Sequence, residues 1–462
     1  MKKDTRERFA ALAALLILAV PRAAPAADCY MAADGADTNA GTIDEPFRTF
    51  AHAVPLLGPG DTLLVRAGTY AQSINTYDFS ITPGESWDNP VTVAAYPGET
   101  VVLRPDAGTE VLRIMATSYV VFEGLVLDAS LVETNAVKIT YTGESNDAHH
   151  IRLVGCEVMN APGQGLLVGS AGSGDGYNEF IGLSVHDNGT TDFDHGFYIG
   201  NDYNLVEGCE VYRNSGWGVH IYNGYEGESA DHNIVRGNLV HDNAAAGDRG
   251  VGIGLYSGTG NAAYNNVSWG NKNGISLNYG LVDALVYNNT VYGNAEYGII
   301  VGEDSTGAQL RNNVVYLSGW GDLEDAGVST VLGTNLTGTD PLVVDASAGD
   351  FHLREGSPAV DAGETLAEVP ADLEGVPRPQ GEAFDLGAYE YHVGEPDPGP
   401  DEGPDEAVEP APDGAIEPGP DGEAAPDATD AEAAHDAPAD VGLDGDGGGE
   451  GGGEGCGCAV AS

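Results

Sequence analysis

A short alternation of apolar and polar residues repeats along the middle of the chain. In each copy a Gly is followed by an apolar, a variable and an apolar residue. This period of two predicts a strand rather than a helix. Such strands begin at Gly165, Gly196, Gly218, Gly252, Gly274 and Gly298. Gly, Asn and Asp fill the intervals between them, which is typical of tight turns.

A second column of equivalent positions gives the length of the repeat. It comprises Leu127, Val158, Val185, Val211, Val240, Ser268, Val291 and Val315, which are 31, 27, 26, 29, 28, 23 and 24 residues apart. A period of this length, with short strands and no helical stretch, predicts one coil of a β-solenoid per repeat. Because parallel crossovers are right-handed, we expect an all-β fold, a single-stranded right-handed parallel β-helix.

Two polar columns flank the apolar one. Three residues after it, an Asn recurs in five consecutive copies: Asn188, Asn214, Asn243, Asn271 and Asn294. Stacked coils place like side chains about 4.8 Å apart, so these amides are expected to form a hydrogen-bonded ladder. Three residues before it, the position is first Gly and later Asn: Gly124, Gly155, Gly182, Gly208, Gly237, Asn265, Asn288 and Asn312.

The two ends of the chain differ from this middle part. Residues 1–27 combine basic residues, an apolar run too short to span a bilayer and a small-residue Ala-Pro-Ala motif, which predicts a signal peptide and export from a bacterial cell. The segment from Phe47 to Leu57 has helical spacing, and a helix there would cap the open end of the solenoid. Residues 393–462 contain no Lys, Arg or aromatic residue, so we expect a disordered acidic stalk.

The segment after the predicted signal peptide carries a set of recognisable motifs. They are Asp34-Gly-x-Asp37-x-Asn39-x-Gly41-Thr42, Pro46-Phe47, Gly60-Asp61-Thr62 and Arg66-Ala-Gly-Thr-Tyr70. The segment resembles the first part of many secreted β-helix proteins, including family-nine polysaccharide lyases. This resemblance implies a polysaccharide partner, a Ca²⁺ cofactor held by Asp residues and a Lys base. The oxygen-rich cluster at 34–39 offers Ca²⁺ ligands, although turn formation is the simpler explanation.

Residues 340–392 change character again. The motifs Asp350-Phe-His-Leu, Gly356-Ser-Pro-Ala-Val-Asp-Ala-Gly363 and Asp385-Leu-Gly-Ala-Tyr-Glu390 resemble the choice-of-anchor Q region that follows bacterial β-helices. The terminal Gly455-Cys-Gly-Cys resembles the start of a myxobacterial C-terminal sorting signal. Both resemblances imply an extracellular position on the outer cell surface.

These observations divide the chain into five parts. We expect a signal peptide at 1–27, an N-terminal cap with irregular coils at 28–118, the β-helix repeats at 119–339, a choice-of-anchor Q-like region at 340–392 and the stalk at 393–462. We expect no transmembrane helix in the mature chain, and a monomer.

The charge of the chain limits the choice of partner. The sequence has 18 Lys and Arg against 72 Asp and Glu, a formal net charge of −54. Nucleic acid is excluded as a partner, because its binding needs clustered cations. Acidic polysaccharides are repelled unless Ca²⁺ or basic residues line the groove. A neutral glycan is therefore the easier ligand.

Aromatic and titratable residues gather at outward positions of the repeated strands. In register, one outward column reads Leu167, Tyr198, His220, Gly254, Ser276 and Ile300, and the next reads Gly169, Gly200, Tyr222, Tyr256, Asn278 and Gly302. Lys138 is expected in the first column, two coils from Tyr198. Aromatic faces stack on sugar rings, and a neighbouring His and Tyr can exchange protons with a sugar. Plain strand propensity explains the same residue types.

Specific roles can be assigned to this patch. For proton abstraction beside a uronate carboxylate, the candidates are His220 or Lys272 as base, Tyr198 as acid and Arg249 as charge neutraliser. Phe193-Asp194-His195 is similar to the Asp and His near the site of mannuronan epimerases, which adds His195. The candidate glycan contacts are Trp217, Tyr222, Asn223 and Tyr256, and the candidate metal ligands are Asp192 and Asp194.

Three functions follow from the sequence. The first is an exported protein that binds or processes polysaccharide along the sheet, with lyase or epimerase chemistry. Hydrolysis fits less well, since it needs two carboxylates about 5–10 Å apart, for which only Asp192 or Asp194 with Glu226 or Glu228 are candidates. The second is a non-catalytic, glycan-binding adhesin. The third is a structural spacer on the cell surface.

Overall fold

The protein forms a solenoid in which three parallel sheets run along the whole length of the coils. The structure is a computed structural model, and it describes residues 27–140, 148–169, 175–224, 229–244 and 250–392. The predicted signal peptide up to residue 26 and the predicted stalk lie outside the described residues, as do Arg249, Glu226 and Glu228. None of the described helices is long and apolar enough to cross a membrane.

Each full coil contributes one strand to each sheet, and all strand pairs within the three sheets are parallel. Sheet A has 12 strands: Asp28–Met31, Thr62–Val65, Val91–Ala95, Ser118–Glu123, His149–Val154, Glu179–Ile181, Leu205–Glu207, Ile234–Arg236, Ala262–Tyr264, Leu285–Tyr287, Gln309–Arg311 and Val331–Leu332. Sheet B has 11 strands: Gly68–Tyr70, Val101–Leu103, Leu125–Asp128, Glu157–Met159, Ser184–His186, Glu210–Tyr212, Leu239–His241, Val267–Trp269, Thr290–Tyr292, Val314–Tyr316 and Leu336–Thr337. Sheet C has 10 strands: Ile74–Asn75, Leu112–Ile114, Val137–Ile139, Leu166–Val168, Phe197–Ile199, Val219–Ile221, Val251–Tyr256, Asn273–Asn278, Tyr297–Val301 and Gly321–Asp325. The predicted parallel β-helix is therefore confirmed.

The core lies inside the coils and is built from the inward residues of the three sheets. Phe122, Phe180 and Phe197 are fully buried there, together with the Val, Ile and Leu residues of the repeat. The predicted Asn ladder is also confirmed. The side-chain amide of Asn188 donates to Asn214 Oδ1 at 3.0 Å, and that of Asn214 donates to Asn243 Oδ1 at 3.0 Å. A second, unpredicted ladder runs through Asn238, Asn266, Asn289, Asn313 and Asn335.

The N-terminal end is closed by a helix that is shorter than the sequence predicts. An α-helix at Phe50–Ala53 continues into a 3-10 turn at Val54–Leu56. Its apolar face is buried against the first coils, as expected. Asp37 accepts hydrogen bonds from the backbone N–H groups of Arg48 and Thr49 and from the Thr49 hydroxyl. The Asp37 carboxylate therefore organises the start of the helix.

The segment 340–392 packs against the turns between sheets A and B. It begins with an antiparallel pair, Val343–Asp345 and Asp350–Leu353, joined by the 3-10 turn Ala346–Ala348. Phe351 packs against Val267 of sheet B. Arg378 pairs with Glu390 at 2.5 Å, and both side chains are fully buried.

This docking explains why the turn column changes from Gly to Asn. The positions from Gly124 to Asn312 all have a left-handed backbone, with φ between 49° and 66°. Asn265, Asn288 and Asn312 lie where the segment 340–392 covers the turns. Their side-chain amides donate to backbone carbonyl groups of that segment at 2.7, 3.0 and 2.8 Å. Asn keeps the turn geometry that Gly allows and adds a hydrogen bond.

Candidate functional site

The outward column of sheet C has the register that the sequence predicts. Leu167 pairs with Tyr198, Tyr198 with His220, and His220 with Gly254. The column continues through Ser276 to Ile300. On the other side, Lys138 pairs with Leu167 as predicted, and Arg113 pairs with Lys138.

The centre of this column is an imidazole surrounded by four aromatic rings. The ring of His220 stacks on Tyr198 at 5.1 Å and 11°, on Trp217 at 4.4 Å and 23°, and on Tyr222 at 5.4 Å and 9°. Tyr256 meets it edge-on at 5.1 Å and 86°. We call these five residues the sheet C cluster. Such contacts place the rings at preferred aromatic distances.

The residues of the cluster face outward as the sequence predicts, but much of the cluster is buried. His220, Trp217 and Tyr256 are only 5, 8 and 7% exposed, since the rings cover one another and His195 closes one side. Tyr198 and Tyr222 are half-buried and form the accessible part. Tyr279, which was not predicted, is 42% exposed and lies 5.1 Å from the Tyr256 ring. Tyr279 follows the strand Asn273–Asn278 and lies in a turn. The alternation of apolar and polar residues predicts strand positions only, so it does not identify this residue.

The polar atoms of the cluster differ in whether they have partners. Tyr256 Oη hydrogen-bonds Ser276 Oγ at 3.0 Å, and the Trp217 backbone N–H donates to His195 Nδ1 at 3.2 Å. Both ring nitrogens of His220 are buried, and neither has a hydrogen-bond partner among the described residues. A buried polar group without a partner carries an unrelieved desolvation cost of about 1–3 kcal/mol.

Burial also determines the charge of these groups. It lowers the pKa of His220 from 6.5 to about 3. Burial, with the neighbouring His220, holds the pKa of His195 well below 6.5. Burial raises the pKa of Tyr256 to about 12. All three side chains are therefore neutral at physiological pH. These surroundings favour hydrogen bonding to an uncharged group over the predicted acid–base roles of His195 and His220.

Two further predicted residues have structural partners outside the centre of the cluster. Lys272 forms an ion pair with Glu296 at 3.3 Å. It does not lie in the outward column, because Ser276 holds that position in its coil. The side-chain amide of Asn223 donates to the Gly200 carbonyl group at 2.7 Å, which holds the turn after the strand. Arg249, the predicted neutraliser, lies outside the described residues.

The predicted metal ligands Asp192 and Asp194 lie in one turn and are not joined there by a third possible ligand among the described residues. Asp194 Oδ2 accepts hydrogen bonds from the backbone N–H groups of Thr190 and Thr191 and from the Thr191 hydroxyl. Asp192 lies in the same turn, where its backbone carbonyl group, that of Asp194 and the His195 ring leave no room for a side chain at Gly216. Within the described part of the chain, no three His, Cys, Asp or Glu residues are grouped to hold a metal ion. Within the described residues, these two side chains therefore lack the further ligands that the implied Ca²⁺ site needs.

Comparisons with known proteins place this geometry in a family. A family model described as the Pel9A-like, right handed beta helix region matches residues 29–313. The chain is 32% identical over 136 residues to the uncharacterized protein YwoF of Bacillus subtilis, which covers 27% of this chain and 28% of that protein. It is 38% identical over 78 residues to the pectate lyase PEL9 of Emericella nidulans, covering 17% of this chain and 18% of that one. The chain thus spans less than a third of these relatives.

A solved structure shows the same fold over a much longer range. The crystal structure of pectate lyase Pel9A superimposes with a TM-score of 0.60 and 20% identity, covering 79% of this chain and 96% of that chain. At this identity the likeness concerns the right-handed β-helix fold alone.

Proposed function

The chain belongs to the family of Pel9A-like right-handed β-helices, and on that premise we propose that it binds polysaccharide along sheet C. The observation that supports this most directly is the sheet C cluster. Its half-buried rings of Tyr198 and Tyr222 offer apolar faces for sugar rings. His220 between them has two nitrogens without a partner among the described residues, and a sugar hydroxyl group that displaces a covering ring can satisfy one of them.

Binding is better supported than bond cleavage. General acid–base catalysis needs a group whose pKa lies near the working pH and which reaches the substrate. His220 has a pKa of about 3, far below the working pH, so it does not meet the first condition. Lys272, the other predicted base, is paired with Glu296. The proposal therefore uses these side chains for recognition and assigns no proton transfer to them.

The ends of the sequence support a position outside the cell. We propose that the predicted signal peptide exports the chain and that residues 393–462, which the sequence predicts to be an acidic stalk, link the β-helix to the cell surface. A surface position gives a long polysaccharide free access to a sheet that extends over ten strands. The exported protein would then act as a glycan-binding adhesin.

The test is retention on immobilised polysaccharides by the chain that begins at Asp28. The probes are neutral xylan, galactomannan and β-glucan, together with pectate as the acidic comparison. Tyr198→Ala should weaken retention by about tenfold on whichever glycan the wild type binds. A stacked aromatic contact contributes about 0.5–1.5 kcal/mol of binding free energy in addition to the contribution of the apolar area it buries. Tyr212→Ala is the matched control, because Tyr212 occupies an outward stacked position on sheet B. Equal retention of both variants would contradict the site, and retention of no glycan by the wild type would favour a structural spacer.

Eliminative cleavage is the second candidate function. It is favoured by the 78-residue match to the pectate lyase PEL9 of Emericella nidulans. The same samples are therefore assayed for unsaturated sugar ends by ultraviolet absorbance, with Ca²⁺ and with a chelator. New unsaturated ends that require Ca²⁺ would establish a lyase and a metal site that includes residues outside the described part. Retention without new ends would support the binding function.

A further inference from the structure

The outer face of sheet A carries a groove of about 420 Å³ that the proposed glycan site does not use. Its floor is a strip of three outward residues in register on consecutive coils, Ile234, Ala262 and Leu285. Ala262 is smaller than both of its neighbours, so its coil forms the lowest part of the strip. The groove therefore presents an apolar surface that extends over two strand spacings, or about 10 Å.

A row of stacked rings ends at this floor. His150, Tyr177, Tyr203 and His232 occupy one turn position on successive coils, between sheets C and A. Their rings follow one another at 5.0, 4.9 and 5.1 Å. The next residue of the row is Gly260, where a Cβ atom would lie 2.6 Å from His232 Nδ1. The row therefore stops at His232, whose side away from Tyr203 borders the groove.

The backbone of this row is strained. The angle φ is 46° at Tyr177, 58° at Tyr203 and 55° at His232. These left-handed angles are unfavourable for bulky side chains and are free of strain for glycine, which the chain uses at Gly260. Burial does not explain the choice of residue, because Tyr177 and Tyr203 are 37 and 39% exposed. Exposed rings in a strained backbone are typical of surfaces that bind a ligand.

The rim of the groove carries a carboxylate without a cationic partner. Glu368 lies in an exposed turn of the segment 340–392 and lines the groove. Leu366 and Val369, on either side of it, are buried against Tyr287 of sheet A, so the turn is anchored. No Lys or Arg among the described residues forms an ion pair with Glu368.

Two arginines on this face of sheet A are already balanced. Arg236 pairs with Glu207 at 2.9 Å, and Arg311 pairs with Glu364 at 3.1 Å. The negative charge of Glu368 is therefore in excess at the groove. The net charge of −54 adds a long-range attraction for cations. The charge of the groove thus complements a cationic ligand.

We propose that this groove binds an amino sugar of a glycan, with the ammonium group at Glu368 and one face of the sugar ring on the apolar floor. His232 and Tyr264 border the floor and offer ring surfaces to the sugar. Further sugars of the chain would extend along the exposed rings of Tyr203 and Tyr177. A lone ammonium ion lacks the apolar face that the floor requires. The groove lies on a different sheet from the sheet C cluster, and neither site requires the other.

The experiment compares oligosaccharides that differ only in the charge of their nitrogen. The probes are an oligomer of glucosamine and the N-acetylated oligomer of the same length, at a pH that keeps the amines protonated. Calorimetry measures their binding to the chain that begins at Asp28. The wild type should bind the glucosamine oligomer about tenfold more tightly, as expected for one hydrogen bond between charged groups. This advantage should fall as salt is added.

Oligolysine of the same charge is the third probe, since the acidic protein attracts any polycation. Its binding should be at least about tenfold weaker than that of the glucosamine oligomer, because it has no sugar ring to place on the floor. Equal binding of oligolysine would mean that net charge alone acts, and equal binding of the acetylated oligomer would mean that the amine is not recognised. Either result overturns the inference.

Variants assign the effect to the groove. Glu368→Gln should lower the affinity for the glucosamine oligomer about tenfold. Ala262→Ile should also lower it without a change of charge, because the larger side chain raises the floor. Glu355→Gln is the matched control, since Glu355 is an exposed carboxylate of the same segment and its loss changes the net charge equally. An unchanged affinity in Glu368→Gln, or an equal loss in Glu355→Gln, overturns the inference.

The outcome is distinguishable from that of the sheet C proposal, which is tested with neutral polysaccharides. Binding of the glucosamine oligomer that is lost in Tyr198→Ala and kept in Glu368→Gln would place the amino sugar on sheet C and would contradict the groove. If the wild type binds no glucosamine oligomer, the inference is wrong, whatever the retention of neutral glycans. Thermal unfolding of each variant confirms that the fold is retained.

Discussion

Two aromatic columns on different faces of this solenoid look alike and have different surroundings. On sheet B, His186, Tyr212, His241 and Trp269 are outward residues in register. Their rings stack at 4.7 Å and 15°, 5.2 Å and 2°, and 4.1 Å and 12°. The sheet C cluster has the same stacking, with 5.1 Å and 11° between Tyr198 and His220. Stacked rings alone therefore do not identify a site, because parallel coils align like residues.

The difference lies in the partners of the imidazole groups. His186 bridges Asp187 and Glu157 at 2.7 and 3.0 Å. His241 likewise bridges Asp242 and Glu210, at 2.8 and 3.4 Å. The sheet B column also ends against Phe351, which covers Trp269. In the sheet C cluster, His220 has no such partner among the described residues. The proposed binding site therefore rests on the unpartnered imidazole rather than on the stacking.

The largest expected effect comes from removing one Trp from each column. Trp217→Ala should lower the free energy of unfolding by about 3 kcal/mol or more, because Trp217 is only 8% exposed and its loss leaves a cavity. Trp269→Ala should cost less, since Trp269 is half-buried. Urea unfolding measures both. Glycan retention should be lost in the first variant alone, and its loss in Trp269→Ala would remove the distinction between the two columns.

A smaller effect concerns acid stability. The folded-state pKa of His220 is about 3, below the ordinary 6.5, so the folded protein takes up fewer protons than the unfolded chain. The stability that neutral His220 contributes is therefore fully present above pH 6.5. It is lost as the pH falls from 6.5 toward 3. His220→Phe should reduce this acid loss, which thermal unfolding at about pH 7 and about pH 4 can measure.

Tyr198→Phe is the control for this measurement. It changes the same cluster without removing a group that titrates in the acid range. The slope of stability against pH should therefore stay as in the wild type. An unchanged slope in His220→Phe would mean that His220 is exposed to protonation in the folded protein. The His220 imidazole would then behave more like the carboxylate-paired imidazoles of sheet B than its burial indicates.

The fold was predictable because its repeat is visible in single residues. The period of two fixed which side chains face outward, and the register of Tyr198 and His220 followed from the Gly that begins each of their strands. Arg113 was not predicted, since the strand Leu112–Ile114 lies before the regular repeat and has no preceding Gly. Its place in the column emerges only from the pairing with Lys138.

The properties of the site were less predictable, because they depend on what covers each residue. An outward His reads the same in the sequence whether it bridges two carboxylates, as His241 does, or lies buried without a partner, as His220 does. The carboxylates that bind His241 come from its own coil and from the preceding one, 31 residues away. The change from Gly to Asn at position 265 was visible, but its cause was not, because the docked segment lies 106 residues further along the chain.

The smallest expected effect extends the comparison to the segment 340–392. His352 bridges Asp350 and Glu374 at 2.7 and 3.3 Å, which is the arrangement of the sheet B imidazoles. Burial alone would lower the pKa of His352, but the hydrogen bonds with Asp350 and Glu374 outweigh it and raise the pKa above 6.5. The stability from this contact is therefore fully present below pH 6.5 and is lost as the pH rises through the raised pKa.

His352→Gln should remove this alkaline loss, with an effect below about 1 kcal/mol because the contact is partly exposed and screened by solvent. Thermal unfolding at about pH 6 and about pH 8 measures it. His352 and His220 thus shift stability in opposite directions, the first toward low pH and the second toward high pH. If His352→Gln left the alkaline loss unchanged, carboxylate bridging would not be the property that separates the structural imidazoles from the unpartnered one. The case for a binding site at His220 would then depend on glycan retention alone.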